Sequence, residues 1–377
     1  MLKMFTTCDV ICGIFILINV LNSYFYDSSG QIISKPSFIG RNVSEELDTH
    51  NIAIIRVGFV NNDGTEMYSF CDNECLAEKM WTNEYGVNNY FLDSSDGKFS
   101  FDKNNSIIIS VQINKTASNK TAYDKYSKFA LKELQNQYNI NIISKYRYRM
   151  FIYPVLGYDW EGLANLGCWC DNCMSWITIP AQSECINNRR KCGNTLITNV
   201  MIHELFHNIG LYHSSTDYNN DDIIDNEYGD ISDVMGGTDA YYPSKLNFPH
   251  LFQLGWINEE NILFDPVSSI DNVSSIVTLT PISYKQSSLK DSEFVGIIIN
   301  NKIFISYKTE NSDSFDSNLL DYDSIYVHKF NGRNTMLIKK IRVQDEQDSL
   351  HKYKNMNIGL SHLRHNVMIN ITDVMRI

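Results

Sequence analysis

Residues 203–213 read His-Glu-Leu-Phe-His-Asn-Ile-Gly-Leu-Tyr-His, and this stretch decides both the local fold and the chemistry of the chain. His203 and His207 are four residues apart, so a helix would place both imidazoles on one face, where they can bind one cation. Gly210 lies where such a helix has to end, because glycine adopts positive φ without steric cost and can turn the chain back. His213 would then supply the third metal ligand.

Glu204 follows the first of these ligands and is expected to be a general base that accepts a proton from the attacking water. Three histidines leave an open coordination position on Zn²⁺, as in a catalytic rather than a structural zinc site. Zn²⁺ would polarise a substrate carbonyl and lower the pKa of a bound water toward about 7. The alternative is a histidine-bearing helix with accidental spacing, and five matching positions in 377 residues argue against it.

The composition is that of a globular protein, with 43% apolar and 20% charged residues. The length favours two domains. The formal net charge of −12 would repel nucleic acid and anionic membrane surfaces, so neither is expected as the main partner.

The first two dozen residues resemble a signal peptide, with Lys3 followed by an apolar run from Val10 to Leu21. The run is shorter than the roughly 20 residues that a membrane-spanning helix needs. We therefore expect a secreted protein. Because Asp9 adjoins the run, an uncleaved amino-terminal anchor that holds the protein at the cell surface stays open as the alternative.

Two further features favour export. Disulfides are typical of exported proteins, and five cysteines lie close together before the histidine motif. These are Cys168, Cys170, Cys173, Cys185 and Cys192. A second metal site is the alternative, but a matching distant pair of cysteines is missing. Six asparagines begin N-x-Ser/Thr sequons, which are acceptors for glycosylation. They are Asn42, Asn104, Asn114, Asn119, Asn272 and Asn370.

The hydrophobic pattern alternates between strands and helices up to about residue 260, which is typical of a mixed sheet covered by helices. Strands are predicted over 51–60, 106–113 and 149–156, with an edge strand over 175–179; helices are predicted over 72–82, 124–137 and 196–209. Short β-rich runs follow at 276–282, 294–300, 302–308, 324–328 and 367–371. Asn300-Asn301 is expected to form a tight hairpin turn.

Met235 lies in Ile231-Ser-Asp-Val-Met-Gly-Gly237, 22 residues after His213. A methionine alone would be ordinary core packing. Together with the extended histidine motif, it resembles the metzincin clan of zinc endopeptidases, whose Met-turn lies beneath the three histidines.

The flanking sequence resembles one family of that clan, the gametolysin-like peptidases (M11) of algal cell walls. The likeness rests on Glu227-Tyr-Gly-Asp230 and on Asn247-Phe-Pro-His-Leu-Phe-Gln-Leu-Gly-Trp256, and more loosely on 96–99 and 162–167. It covers roughly residues 51–260. It implies an extracellular endopeptidase that acts on matrix or cell-wall glycoproteins, with a metzincin-type catalytic domain.

Carried over by position, the resemblance implies that His203, His207 and His213 bind Zn²⁺, that Glu204 is the base and that Met235 forms the turn. Two departures concern latency. Residues 25–50 are too few for a folded inhibitory prodomain, and the sequence around Cys71 lacks a proline-arginine-cysteine switch. No specificity pocket can be matched.

We therefore predict an α+β protein with four parts. These are a signal peptide or anchor (1–23), a short extension (24–50), the zinc peptidase domain (51–261) and a smaller all-β carboxyl-terminal module (262–377).

An acidic loop follows the motif, with oxygen-bearing side chains at Asp217, Asn219, Asp221, Asp222, Asp225 and Glu227. Its first positions resemble a Ca²⁺ loop, but the glycine at position six and the glutamate at position twelve are missing. A solvated acidic loop is favoured over a calcium site. Tyr241 or Tyr242 could reach a substrate oxyanion, although packing or surface placement is the simpler expectation.

The leading functional hypothesis is a secreted zinc endopeptidase whose partner is a protein or glycoprotein substrate. A surface adhesion or recognition protein with a structural or vestigial zinc site is the alternative from another class. A zinc enzyme that hydrolyses a non-peptide amide is the third.

Overall fold

The structure is a computed structural model. It describes residues 47–60, 63–115, 123–154, 160–167, 172–179, 194–237, 243–265, 275–283, 289, 293–309, 315–318, 323–343, 350–353, 356–363 and 366–372. The predicted signal peptide, most of the short extension, four of the five clustered cysteines, and Tyr241 and Tyr242 lie outside these residues.

The strands are, in chain order, β1 (Asp48–His50), β2 (Ile52–Val60), β3 (Glu66–Met67), β4 (Phe99–Phe101), β5 (Ile107–Ile113), β6 (Tyr148–Pro154), β7 (Gly162–Ala164), β8 (Cys173–Ile179), β9 (Ser214–Thr216), β10 (Ile262–Phe264), β11 (Ser275–Leu279), β12 (Glu293–Phe294), β13 (Gly296–Ile299), β14 (Ile303–Lys308), β15 (Ser324–Phe330), β16 (Thr335–Arg342), β17 (Leu350–Tyr353), β18 (Met356–Leu363) and β19 (Asn366–Thr372).

The α-helices are α1 (Asn73–Ala77), α2 (Val87–Ser94), α3 (Tyr123–Tyr138), α4 (Ile142–Lys145), α5 (Asn194–Asn208) and α6 (Phe248–Gln253). A π-helical turn at Glu78–Thr82 follows α1, and 3₁₀ turns lie at Glu259–Asn261 and Phe315–Asn318. The described chain is therefore a mixed α/β protein with several sheets and few helices.

The chain divides into two compact units. The first contains Met1–Glu74, Phe101–Asn187 and Glu204–Gly210. Its sheet has the order β3-β2-β6-β8-β7, and β5 also pairs with β2. The pairs β2–β5, β2–β6 and β6–β8 are parallel, whereas β7 is antiparallel to β8.

The core of this unit forms between the sheet and α3. Tyr126, Ala130 and Leu134 recur at helical spacing on α3 and are buried, as the sequence periodicity predicts. They pack with apolar side chains of β2, β5 and β6, such as Phe59 and Phe151. Strands buried on both faces have near-continuous apolar sequences, and β2 and β6 show this pattern.

The second unit contains Cys75–Ser100, Asn188–His203 and Leu211–Ile377. It contains two sheets, with the orders β10-β13-β14-β15-β16-β9 and β12-β11-β19-β18-β17. Apolar residues of both sheets share one core, to which β11 contributes Val277 and Leu279 and β14 contributes Ile303 and Ile305. The first sheet includes β9, which directly follows His213, so this sheet crosses the boundary predicted at residue 261. The domain boundaries themselves stay a prediction.

The turn predicted at Asn300-Asn301 is confirmed. Both asparagines have positive φ, 51° and 53°, and the Lys302 N–H donates to the Ile299 carbonyl at 3.1 Å. Positive φ at both central residues defines the type I′ turn, which matches the twist of an antiparallel hairpin. β13 and β14 pair antiparallel across it.

Two sequence-based predictions need correction. Residues 175–179 do not form an edge strand, because β8 pairs with β6 on one side and with β7 on the other. The helix predicted over 72–82 is α-helical only to Ala77 and continues as the π-helical turn. Within the described residues, no helix is long and apolar enough to cross a membrane.

The first unit has a buried polar contact that can be tested by mutation. Ser127 Oγ on α3 accepts a hydrogen bond from Trp176 Nε1 at 2.7 Å and lies 2.8 Å from the Tyr153 hydroxyl. We expect Ser127→Ala to lower the free energy of unfolding by about 1–3 kcal/mol, because the indole N–H loses its buried acceptor. Urea unfolding monitored by tryptophan fluorescence measures this.

Lys128→Ala is the matched control on the same helix. Its ammonium group forms an exposed pair with Asp124, and such pairs contribute about 0.5 kcal/mol or less. An equal loss of stability in the two variants would show that the Ser127 contact is not what stabilises this unit.

Candidate metal centre

Helix α5 carries the first two histidines of the motif. Met201, Ile202, Leu205 and Phe206 are at most 1% exposed, so the face of the helix that points away from the two histidines is packed. This packed apolar face holds the helix in a fixed orientation. Gly210 follows with φ of +103°, which is the left-handed turn predicted for it, and its N–H donates to the His207 carbonyl at 3.0 Å.

The structure brings His203, His207 and His213 together. One nitrogen from each ring lies within 4.8 Å of the others, so these atoms could hold one metal ion. Within the described residues, no other group of histidine, cysteine or carboxylate side chains has this geometry.

Hydrogen bonds determine which ring nitrogen could bind a cation at two of the histidines. His203 Nδ1 lies 2.9 Å from the Val234 carbonyl, which can only accept, so Nδ1 carries the proton and Nε2 would be the ligand. His213 Nδ1 lies 2.6 Å from Glu227 Oε1, which leaves Nε2 in the same way. Such second contacts fix the tautomer and the ring orientation of metal-binding histidines.

Glu204 is buried beside the histidines, with 4% exposure. Its Oε2 has no hydrogen-bond partner among the described residues. Burial raises the pKa of this carboxyl group to about 8 in the metal-free chain. A buried carboxyl oxygen without a hydrogen-bond partner is unfavourable for the fold, and Glu204 is therefore a candidate for a chemical role.

Gly162 on β7 gives the Glu204 side chain its space, which the sequence reading did not foresee. A Cβ atom at position 162 would lie 2.3 Å from Glu204 Oε1 and 2.7 Å from Cδ. The stretch 162–167 had been noted only for its family likeness. Two hydrogen bonds hold residues 162–167 along the helix. Asn208 Nδ2 donates to the Asn165 carbonyl at 3.0 Å, and the Gly167 N–H donates to the His207 carbonyl at 2.8 Å.

Met235 is fully buried, in a turn that contacts His203 and the residue after His213. Its N–H donates to Asp233 Oδ1 at 2.6 Å, and its carbonyl accepts from the Ser214 N–H at 2.9 Å. Because Val234 orients His203 and Ser214 directly follows His213, this turn is bonded to the surroundings of two of the three histidines.

Tyr228 is a neighbour of the site that the sequence reading missed. Its ring centroid is 4.1 Å from that of His213 and 6.3 Å from that of His203, and the residue is 44% exposed. Its position within Glu227-Tyr-Gly-Asp230 was the only sequence signal that could have pointed to it.

The carboxylates of the acidic loop bind the loop's own backbone. Asp217 Oδ1 and Oδ2 accept the N–H groups of Asp221 and Asp222 at 3.1 Å each, and Asp225 Oδ2 accepts the Tyr218 N–H at 2.8 Å. Asp221 Oδ1 accepts the Ile223 N–H, two residues on, at 2.9 Å, which is an Asx turn. The solvated acidic loop stays the prediction, with a calcium site as its alternative.

The sequence that forms this site matches a known protein family. The family model described as Gametolysin peptidase M11 matches residues 73–350. The comparison with curated proteins found no match. Among solved structures, "Structure of a chaperone-substrate complex" is similar at 16% identity with a TM-score of 0.25, over 54% of this chain and 32% of that chain.

A likeness at that TM-score says nothing about fold or function, and the present chain spans only 32% of the length of that structure's chain. The family match, in contrast, covers most of the chain and includes the three histidines, Glu204, Met235 and β9 to β16. It confirms the family predicted from the sequence. The chain belongs to the gametolysin peptidase M11 family.

Proposed function

We propose that this protein is a secreted, zinc-dependent endopeptidase with a metzincin-type active site, which cleaves extracellular matrix or cell-wall proteins and glycoproteins. The observation that carries the proposal is the convergence of three imidazole nitrogens within 4.8 Å beside a buried carboxyl group, one oxygen of which has no hydrogen-bond partner among the described residues. Membership of a peptidase family supports protein as the substrate class.

The residues fit zinc. His203, His207 and His213 would hold it through neutral imidazoles, a donor set that suits Zn²⁺ and leaves a position open. Zn²⁺ bound there would polarise the scissile carbonyl and, as a nearby positive charge, favour the ionised form of Glu204.

Glu204 is placed to move a proton. Its free Oε2 can accept the proton of the attacking water and pass it to the leaving amine, which is general base and then general acid catalysis. Gly162 leaves the space that the carboxyl group occupies in this position, because a Cβ atom there would lie 2.3 Å from Glu204 Oε1. Tyr228 packs against the His213 ring, with the two ring centroids 4.1 Å apart.

Export has its own support. Cys71 and Cys75 form a disulfide, and Cys173 is also disulfide-bonded. Disulfides persist in oxidising compartments. Two of the predicted glycosylation sequons, at Asn104 and Asn114, lie on exposed positions. These features favour a secreted protein; the cell-surface anchor is the alternative localisation.

Chelation and mutation of the base test the proposal. We expect purified protein to cleave denatured casein or gelatin, and 1,10-phenanthroline to abolish cleavage until Zn²⁺ is added back. Glu204→Gln should lower kcat by at least about 10²-fold and retain zinc, because the ligands are untouched. Cleavage that persists in the presence of chelator and in Glu204→Gln would contradict the proposal. Tight binding of a wall or matrix component without proteolysis would favour the adhesion alternative.

Gly162→Ala tests whether the position of the Glu204 carboxyl group matters for catalysis, because this variant keeps the glutamate but displaces its side chain. The added methyl group meets the end of a flexible side chain, so we expect the protein to fold and bind zinc while the carboxyl group shifts. A displacement of about 1 Å can lower kcat about 10²-fold. The comparison is kcat and zinc content against the wild type.

Gly64→Ala is the control for this substitution. No atom lies within 4 Å of the added Cβ there, but φ of +82° makes the alanine strained. It should lose stability and keep its kcat. Wild-type kcat in Gly162→Ala would mean that Gly162 does not position Glu204.

The raised pKa of Glu204 predicts a pH-dependent stability in the metal-free protein. The folded-state pKa of about 8 exceeds the ordinary value of 4.5. The stability that comes from keeping Glu204 protonated is therefore fully present below about pH 4.5 and is lost as the pH rises through about 8. Glutamine stays neutral throughout. We therefore expect Glu204→Gln to become more stable than the wild type by at least about 1 kcal/mol between pH 5 and 8.

Urea unfolding with excess chelator across that pH range measures the difference. The same substitution at the exposed Glu260 is the control. Parallel stability curves for wild type and Glu204→Gln would show that Glu204 is not buried in the metal-free protein.

A further inference from the structure

His328 lies on β15, in the part of the chain that the sequence assigned to a separate β module, yet it contacts the turn at the metal centre. It is 1% exposed, and its Nε2 lies 2.9 Å from Asp230 Oδ2. Because a carboxylate accepts, Nε2 carries the proton. Asp230 itself is fully buried.

Asp230 binds five donors, which belong to four residues in different parts of the chain. Its Oδ1 accepts from the N–H and the hydroxyl of Ser232 at 3.1 and 2.6 Å. Its Oδ2 accepts from Ser214 Oγ at 2.8 Å, from Asn247 Nδ2 at 3.1 Å and from His328. Burial alone would raise the pKa of Asp230, but the His328 contact, with Ser232 and Asn247, outweighs burial and holds it below the ordinary value.

The network reaches two metal-binding histidines through the backbone. Ser214 directly follows His213, and its N–H donates to the Met235 carbonyl at 2.9 Å. The neighbouring Val234 carbonyl accepts from His203 Nδ1 at 2.9 Å. The loss of one donor to Asp230 would therefore loosen the segment that orients both rings.

The pairing of β9 with β16 provides the second link. Thr335 pairs with Ser214, and Leu337 with Thr216, in a parallel register. Ser215 Oγ donates to the Thr335 carbonyl at 3.0 Å. The strand that follows the third histidine is therefore held by the same sheet that carries His328.

We propose that His328 is a positioning residue of the metal centre, which acts through Asp230 to hold Ser214 and the turn 230–235 and thereby orients His213 and His203. The role rests on the proposed function. It differs from a ligand or a base, because His328 contacts neither the cation site nor the substrate. It makes the strands beyond residue 262 a working part of the peptidase.

The test compares variants of the full chain for zinc affinity, for the visible spectrum of the Co²⁺-substituted protein and for kcat and KM. His328→Leu removes the donor, and we expect a loss of zinc affinity of about 10-fold, the lower end of the range for a direct partner of a ligand, because His328 acts through Asp230. The Co²⁺ bands should shift and weaken, and kcat should fall with KM nearly unchanged. His328→Gln places an amide N–H near the position of Nε2 and should restore most of the loss.

Val327→Ala is the matched control on the same strand. Val327 is fully buried in the apolar core, so its truncation lowers stability without touching Asp230. It should keep wild-type zinc affinity, Co²⁺ spectrum and kcat. If His328→Leu does not fold, Ser214→Ala removes another bond to Asp230 and should give the same changes at a smaller size.

Wild-type zinc affinity, Co²⁺ spectrum and kcat in His328→Leu, or losses matched by Val327→Ala, would overturn the inference. Metal affinity and the Co²⁺ spectrum do not require peptidase activity. A chain that binds zinc in a His328-dependent way but cleaves no protein would therefore sustain this inference while the proposed function fails.

Discussion

Two carboxylates, those of Asp230 and Asp233, are fully or almost fully buried within one short turn, and a buried carboxylate is stable only where donors surround it. Asp230 binds Ser214, Asn247 and His328, and Asp233 binds the Met235 N–H and His250. This requirement joins α6, β9 and β15 to a single turn. The orientation of His203, and the start of the strand after His213, depend on that turn.

Glu204 is the contrasting case. It is buried like the other two carboxyl groups, but its Oε2 has no partner among the described residues, and burial raises its pKa to about 8. Donors saturate Asp230 and hold its pKa below the ordinary value, so it stays charged and serves the structure. A carboxyl group that the fold leaves unsatisfied can take up a proton, whereas a saturated one cannot readily do so. This difference in hydrogen bonding distinguishes Glu204, the proposed base, from Asp230, which stabilises the turn.

Much of the local structure was predictable, because it depends on neighbours in sequence. The spacing of Tyr126, Ala130 and Leu134 indicated α3, and Asn300-Asn301 indicated the hairpin. The strand at 175–179 was predicted, but its place in the sheet was not. The partner β7 is only three residues long, too short to show a period-two pattern. Likewise, no periodicity distinguishes the π-helical turn after Ala77 from an α-helix.

The sequence by itself predicted the three metal-binding histidines, the base and the turn glycine, and it identified the family, because the motif at 203–213 is contiguous and each of its proposed chemical roles requires a particular residue type. Only the tertiary structure decided which residues contact and position these groups. Gly162 meets Glu204 across 42 residues of sequence, and His328 meets Asp230 across 98. Such contacts leave no periodic signal, since sheet pairing and burial bring the partners together only when the chain has folded.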